Sequence, residues 1–403
     1  MRTVLLFGSL LFTLVLWAQT ETPNPKEEKS NFIYNNAEPE LKEVEKEKSS
    51  KDIEGKKDEI KVRNAVLKKS KSKSVAPAPV SNQQKIKISQ QLYQEYDDVR
   101  EQSQSPRSRT ISLENQKNLN KIVDKMESNN SMSFEFNLAK YVNGNHDVAN
   151  FQYLEKAYKQ QSSNQEVVQL MIAYYEISSN KSKRKEFSKK LKDLNVFSKE
   201  TYAYVKNVLN SVPVNGILVT HGSLDTYPLY VLMDVEGVRT DVRVVSLDFL
   251  QSETYRNKIT NAGVLLPSNH SAINTNYLRE FCDLNKFKAL YLSFTIPKNY
   301  FEGIKSNLYA SGLVFQYSVK KLNNMEAVII SWNKFDKGIF EKQTQPNNES
   351  KELISNYLVP LILLKKYYQK ENNFGKAEEM GAYISKLAEW KSKEKTVEKI
   401  LSN

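Results

Sequence analysis

Residues 216–247 read Gly-Ile-Leu-Val-Thr-His-Gly-Ser-Leu-Asp-Thr-Tyr-Pro-Leu-Tyr-Val-Leu-Met-Asp-Val-Glu-Gly-Val-Arg-Thr-Asp-Val-Arg-Val-Val-Ser-Leu. Short β-branched runs on either side of a helix-forming stretch predict strand 216–220, helix 226–235 and strand 242–247. A strand, a Gly-containing turn, a helix and a second strand make one parallel α/β unit with a right-handed crossover. The pattern continues with helices over 252–262 and 273–286, a strand over 289–294 and a helix over 298–306. Two β-rich runs, 312–320 and 325–332, are joined across Asn323-Asn324 and predict an antiparallel hairpin on the sheet edge.

In an open α/β sheet, ligands bind beyond the carboxyl ends of the strands. For the first strand that rim is Thr220-His221-Gly222-Ser223-Leu224-Asp225-Thr226. Gly222 permits a positive-φ turn. Asp225 stands where an N-cap is expected, and Pro228 falls near the first helical turn. Ser246 and Asp248, at the end of the second strand, face the same rim. The candidate ligand-binding residues are therefore His221, Ser223, Asp225 and Asp248, with Asp248 the partner of Asp225. Gly237 fits the position after a helix end. Arg239 and Asp241 lie at the opposite, amino edge, where an Arg–Asp pair would fix the turn.

Upstream, apolar residues recur at helical spacing from about residue 132. Phe134, Phe136, Leu138 and Tyr141 lead to Tyr153, Leu154 and Ala157, then to Val167, Leu170, Met171 and Tyr174. Breaks such as Ser178-Ser179-Asn180 separate them, which predicts tetratricopeptide-like helical hairpins. After the sheet, Tyr357, Leu361, Leu364 and Tyr368 form one helical face, and Ala377, Met380, Ile384 and Leu387 another, with a turn over 372–375. The fold class expected is α/β: a Rossmann-like, mostly parallel sheet flanked by helical hairpins, behind a disordered N-terminal tail. The domains expected are a helical hairpin domain over 131–212, an α/β domain over 213–345 and a closing hairpin over 346–403.

The N-terminal part reads differently. Met1-Arg2 precede an apolar run from Val4 to Trp17, shorter than the roughly 20 residues a membrane span needs. With a small residue, Ala18, at its end, the run predicts a signal peptide over 1–18 and a periplasmic or secreted protein. Residues 19–90 hold 16 Lys or Arg against 12 Asp or Glu, with Phe32 and Tyr34 as aromatics. Such a segment buries too little apolar surface to offset its ordering entropy. A mostly disordered charged linker is thus expected over 19–130, with helix-like stretches near Leu92–Tyr96 and over 113–127.

The net charge of +12 raises nucleic acid as a partner, but the lysines interleave with acidic residues and no nucleic-acid motif occurs. For an exported chain the same charge fits attraction to an anionic membrane surface. The three histidines, His146, His221 and His270, are too few for a multi-histidine zinc site. Neither a dinucleotide nor a phosphate-loop glycine pattern is present, so no cofactor and no metal is expected. Cys282 is the single cysteine. It sits mid-helix among Leu278, Phe281 and Leu284, which predicts a buried, inert thiol. Two rim carboxylates are the remaining route to acid–base chemistry on a glycan.

Ile217 to Thr220, Gly222, Asp225 to Tyr230 and Val235 to Val245 together resemble the soluble carboxy-terminal domain of the DUF2723 membrane proteins of Bacteroidetes. That family is related to protein O-mannosyltransferases. Weaker similarity follows at Ala289–Pro297, at Gly312–Phe315 and from Tyr357, so the resemblance covers about residues 205–390. The family's Gly-Asp-Asn-Asp is Gly222-Ser223-Leu224-Asp225 here, and the family's multi-span membrane region has no counterpart. The resemblance implies an accessory domain detached from its membrane catalyst. The expectation is an exported, non-catalytic envelope scaffold that binds a protein partner of a secretion or glycosylation system. The alternative is a glycan-binding or glycan-processing protein using the rim around Asp225 and Asp248.

Overall fold

Strand β1, Ile217–Thr220, lies at the centre of the protein and is buried along its whole length. The computed structural model describes residues 81–105, 107–341 and 346–390, together with Val397 and Leu401. The expected signal peptide and the charged segment up to residue 80 lie outside the described residues. β1 pairs in parallel with β2 (Arg243–Ser246) and with β3 (Leu290–Ser293), and Val219 stands level with both Val245 and Leu292. Val, Leu and Ile fill these strands because both faces of a parallel sheet are covered. β4 (Leu308–Ser311) and β5 (Val314–Tyr317) complete five strands in the order β2-β1-β3-β5-β4, with β5 antiparallel to β3 and to β4.

Among the described residues, seven α-helices precede the sheet. They are α1 (Asn82–Ser103), α2 (Leu113–Asn130), α3 (Phe134–Asn143), α4 (Phe151–Gln160), α5 (Gln165–Ile177), α6 (Lys181–Asp193) and α7 (Lys199–Asn210). Their starts are written in Ser and Asn. Ser133 accepts the Phe136 N–H at 3.1 Å, Asn164 that of Val167 at 3.1 Å, Asn180 that of Lys183 at 3.0 Å and Ser198 that of Thr201 at 3.1 Å. Each cap satisfies a donor that the first helical turn leaves without a partner. α3 packs on α4 and α5 on α6, as helical hairpins.

Within and after the sheet come α8 (Ser223–Val235), α9 (Glu253–Asn261), α10 (Thr275–Leu284), α11 (Met325–Lys334), the single turn α12 (Gly338–Glu341), α13 (Asn348–Ile354), α14 (Leu358–Lys370) and α15 (Phe374–Trp390). α14 and α15 form the closing hairpin. It is tied to α7 by Asn207, whose amide donates to the Tyr357 hydroxyl at 2.6 Å and accepts the Asp336 N–H at 2.9 Å. One hydrophobic core runs from Leu138 in α3 through the sheet to Trp390 in α15. The hairpins and the sheet therefore share a single interior. Cys282 is buried in it, and burial pushes its thiol well above the ordinary range.

Four expectations are corrected. Residues 82–130 are mostly helical rather than linker. Their apolar positions are few but fall on one face, so that Tyr96 meets Leu119, Ile122, Val123 and Met126 in a second small core. Residues 325–332 are helix α11, not a strand. The run Val328-Ile329-Ile330 favours a strand locally, but Val328 and Trp332, four apart, are the buried pair, which is a helical period. The edge hairpin forms instead between β4 and β5, across Gly312-Leu313. Gly312 has φ +64, and a Cβ there would lie 2.3 Å from the Ser211 hydroxyl. Residues 298–306 form two short 3₁₀ turns rather than one helix.

Arg239 and Asp241 make a salt bridge at 2.7 Å at the amino edge of the sheet. The Arg239 guanidinium also donates to the carbonyls of Leu209 (2.8 Å), Val212 (2.7 Å) and Pro213 (3.1 Å). It thereby holds the carboxyl end of α7 against the turn that follows α8. Gly237 follows α8, and the Val238 N–H reaches back to the Leu232 carbonyl at 3.1 Å. Among the described residues no helix is long and apolar enough to cross a membrane.

Candidate functional site

β1 is the switch point of the sheet: the chain leaves it to β2 on one side and returns to β3 on the other. Beyond its carboxyl end lies a cavity of about 710 Å³, within the size range of small-molecule sites. The floor is His221 to Tyr227 from β1 and α8, Asp248 and Phe249 after β2, and Phe294 and Thr295 after β3. The walls and roof come from the helices: Arg100 of α1 and Gln104 just after it, Tyr141 of α3, Glu166 and Gln169 of α5, and Leu353 of α13.

The turn between β1 and α8 shapes the floor. Gly222 has φ +84 and caps the helix through its backbone, with no side-chain cap bond. The helix therefore begins at Ser223, three residues earlier than expected. This moves Asp225 from the cap to the first turn and puts Pro228 inside the helix. Pro228 has no N–H, so the Leu224 carbonyl loses its intrahelical donor.

Asp225 is 1% exposed. Its carboxylate accepts the His221 N–H at 3.0 Å, the Thr295 hydroxyl at 2.7 Å and the Ser293 hydroxyl at 3.2 Å. It thus stitches β1, α8 and β3 together beneath the cavity. Burial pushes its pKa up to about 6, against those three donors.

Asp248 behaves in the opposite way. Burial disfavours its charge, but the Arg109 guanidinium and the Gly222 N–H, 2.7 Å away, outweigh burial and hold the pKa at about 2. Arg109 grips one carboxylate oxygen with two of its nitrogens. Both carboxylates lie at the amino end of α8, where the helix dipole favours negative charge.

Arg109 is the residue that sequence reading missed, because it falls in the segment read as linker. Its backbone is fixed from outside: the Arg109 N–H donates to the Ile273 carbonyl at 2.8 Å, and the Ile273 N–H donates to the Thr110 hydroxyl at 2.8 Å. The available signal was Ser112, which caps α2 and so marks a folded element three residues after Arg109.

His221 and His146 are both neutral at physiological pH. Burial, reinforced by Arg109, lowers His221 to about 3, and burial lowers His146 to about 4. The His146 ring packs edge-on against Phe249 at 5.2 Å. Among the described residues its Nδ1 and the Tyr141 hydroxyl are buried without a hydrogen-bond partner. Ser223 is exposed at the rim beside Leu224. Ser246 lies beneath β2's end, fully buried, and its backbone N–H is 3.3 Å from the Tyr255 hydroxyl.

The structure thus gathers His221, Ser223, Asp225 and Asp248 around one cavity. It also commits both carboxylates to internal partners. A glycosidase-type pair needs one carboxyl group free to protonate the leaving oxygen and another free to act as base or nucleophile. In this arrangement Asp225 and Asp248 brace the floor through those partners. What faces the cavity is a mixture of aromatic, aliphatic, amide, hydroxyl and charged groups, with Arg100, Glu101 and Glu166 among the last.

Residues 201–264 match the TMEM260-associated domain 2. The matched stretch runs from α7 through β1, α8 and β2 to the end of α9. It contains Asp225 and Asp248 but neither Arg109 nor the Ser293 and Thr295 hydroxyls. The domain is related to protein O-mannosyltransferase-like membrane proteins. No curated protein and no solved structure matches the chain.

Proposed function

We propose that this chain is a non-catalytic, glycan-binding accessory protein of the cell envelope, and that the cavity beyond β1, β2 and β3 is its binding site. The observation that carries the reading is the cavity itself, at the switch point of the sheet, with Gln104 and Gln169 on its walls, Tyr227 in its floor and both floor carboxylates bound to internal partners. Sugars are recognised by amide and hydroxyl partners together with aromatic faces, and the lining supplies these beside its charged and aliphatic residues. The similarity over residues 201–264 supports a glycosylation setting, as does the finer resemblance to the DUF2723 proteins. Export to the envelope is the setting the first 18 residues predict.

Binding of a protein partner by the helical hairpins is less well supported. Their aromatic rings pack on one another instead of lining a groove: Phe151 stacks on Tyr174 at 3.9 Å, and Tyr175 on Phe187 at 5.5 Å.

A printed array of neutral and acidic glycans, probed with the full chain, tests the proposal. Retention of a related set of glycans is expected. Gln169→Ala is expected to weaken retention about fivefold, the worth of one hydrogen bond of about 1 kcal/mol, with an unchanged melting temperature. An array without retained glycans would overturn the reading.

A further inference from the structure

The amino edge of the same sheet carries three exposed apolar side chains. Val214 precedes β1 by three residues and is 73% exposed; Phe287 precedes β3 by three residues and is 88% exposed. The two loops emerge level with each other, because Ile217 pairs with Leu290 and the Ile217 N–H donates to the Ala289 carbonyl at 2.8 Å. Leu265, 49% exposed, is held at the same edge by Asn285, which donates to its carbonyl at 2.7 Å and accepts its N–H at 3.1 Å.

Cations surround this cluster. Lys286 stands over the Phe287 ring at 5.4 Å. Arg243, exposed, begins β2 in register with Ile217. Lys320 and Lys321, both exposed, follow β5, whose carboxyl end passes the amino end of β3. The acidic groups nearby are engaged: Asp241 is held by Arg239, and Asp283 accepts the Tyr317 hydroxyl.

We infer that this edge docks on an anionic lipid bilayer, with Phe287, Val214 and Leu265 entering the interface and the Lys and Arg side chains meeting lipid headgroups. The argument is the combination of charge and shape. The exposed apolar side chains stand at separate loop ends rather than along one element. A ring of cations around protruding apolar groups is the pattern that anionic membrane surfaces select. The cavity opens at the opposite, carboxyl edge of the same strands, so docking leaves it facing away from the lipid.

The test uses the full chain and its Phe287→Trp form with vesicles of phosphatidylglycerol and phosphatidylcholine, against vesicles of phosphatidylcholine alone. The emission of the introduced indole, taken as the difference between the Phe287→Trp form and the parent, is expected to shift to the blue on the anionic vesicles, and added salt should weaken the shift. The Phe287→Ser, Lys286→Glu form should sediment with anionic vesicles at least about tenfold less well while keeping its melting temperature and its glycan retention. Unshifted emission at position 287, or equal sedimentation of the double variant, would overturn the inference, the latter by placing membrane affinity elsewhere in the chain. Capture of a soluble protein through Phe287 with no response to vesicles would overturn it as well.

Discussion

Arg184→Ala is expected to lower the unfolding free energy by about 3–5 kcal/mol, the cost of breaking a buried ion pair by removing one partner. Arg184 lies in α6 with its side chain 12% exposed, and it reaches Asp234 of α8 through two nitrogens at 2.6 and 2.8 Å. It also pairs with Glu176 of α5, and its guanidinium lies over the Tyr230 ring at 4.6 Å. Glu176 in turn accepts from Lys258 of α9 at 2.6 Å. One arginine therefore joins a helical hairpin to α8 directly and, through Glu176, to α9. Its removal leaves the Asp234 side chain, 1% exposed, charged with only the Ser188 hydroxyl, at 3.1 Å, as a partner. Chemical denaturation measures the loss. A double variant, Arg184→Met with Asp234→Leu, should recover most of it, because a well-packed apolar pair replaces both charges together. A loss below about 1 kcal/mol for Arg184→Ala, the range of exposed pairs, would mean that the network is solvated and does not join the layers.

Asp225 gives the second large effect, and its sign depends on pH. Its folded pKa of about 6 stands above the ordinary 3.8. A carboxyl group raised in this way contributes stability that is fully present below about pH 3.8 and is lost as pH rises through about 6. The difference is worth about 3 kcal/mol. Asp225→Asn removes the titrating charge but keeps a carbonyl oxygen for the His221 N–H. Relative to the parent, the asparagine form should therefore gain stability progressively between about pH 4 and about pH 6. Asp225→Ala should show the same pH dependence relative to the parent but lie below the asparagine form by roughly 2–4 kcal/mol, because two hydroxyls and one N–H lose their acceptor at a site 1% exposed. Denaturation curves for the three proteins at several pH values separate these outcomes. A constant offset between the Asp225→Asn form and the parent would contradict the account. Asp248 does not confuse the comparison. Its pKa is depressed to about 2, so its own contribution is present above about pH 3.8 and is lost only as pH falls below that.

These two sites also mark how far the sequence could be read. The strand–helix–strand unit was legible because its signals are local: β-branched runs, a positive-φ Gly222 and the interruption at Gly237. The Ser178-Ser179-Asn180 break was visible, and Asn180 proves to be the cap of the helix that follows. The partners of Asp225 and Asp248 were not legible. Thr295 is 70 residues from Asp225, and Arg109 is 139 residues from Asp248. Nothing in local spacing ties residues so far apart, and Arg109 lay in a segment whose composition resembles the charged tail before it. The helix over 325–334 failed for a different reason. Three β-branched residues in a row fit a strand locally, and only the packing of Val328 and Trp332 decides for helix.

A crystal structure of the chain with a glycan retained on the array tests the central claim most directly. The account predicts a sugar ring in the cavity beyond β1, β2 and β3, within hydrogen-bond distance of Gln104 or Gln169, with Asp225 still bound to Thr295 and Asp248 to Arg109. A glycan seated elsewhere on the protein, with that cavity holding water alone, would contradict it.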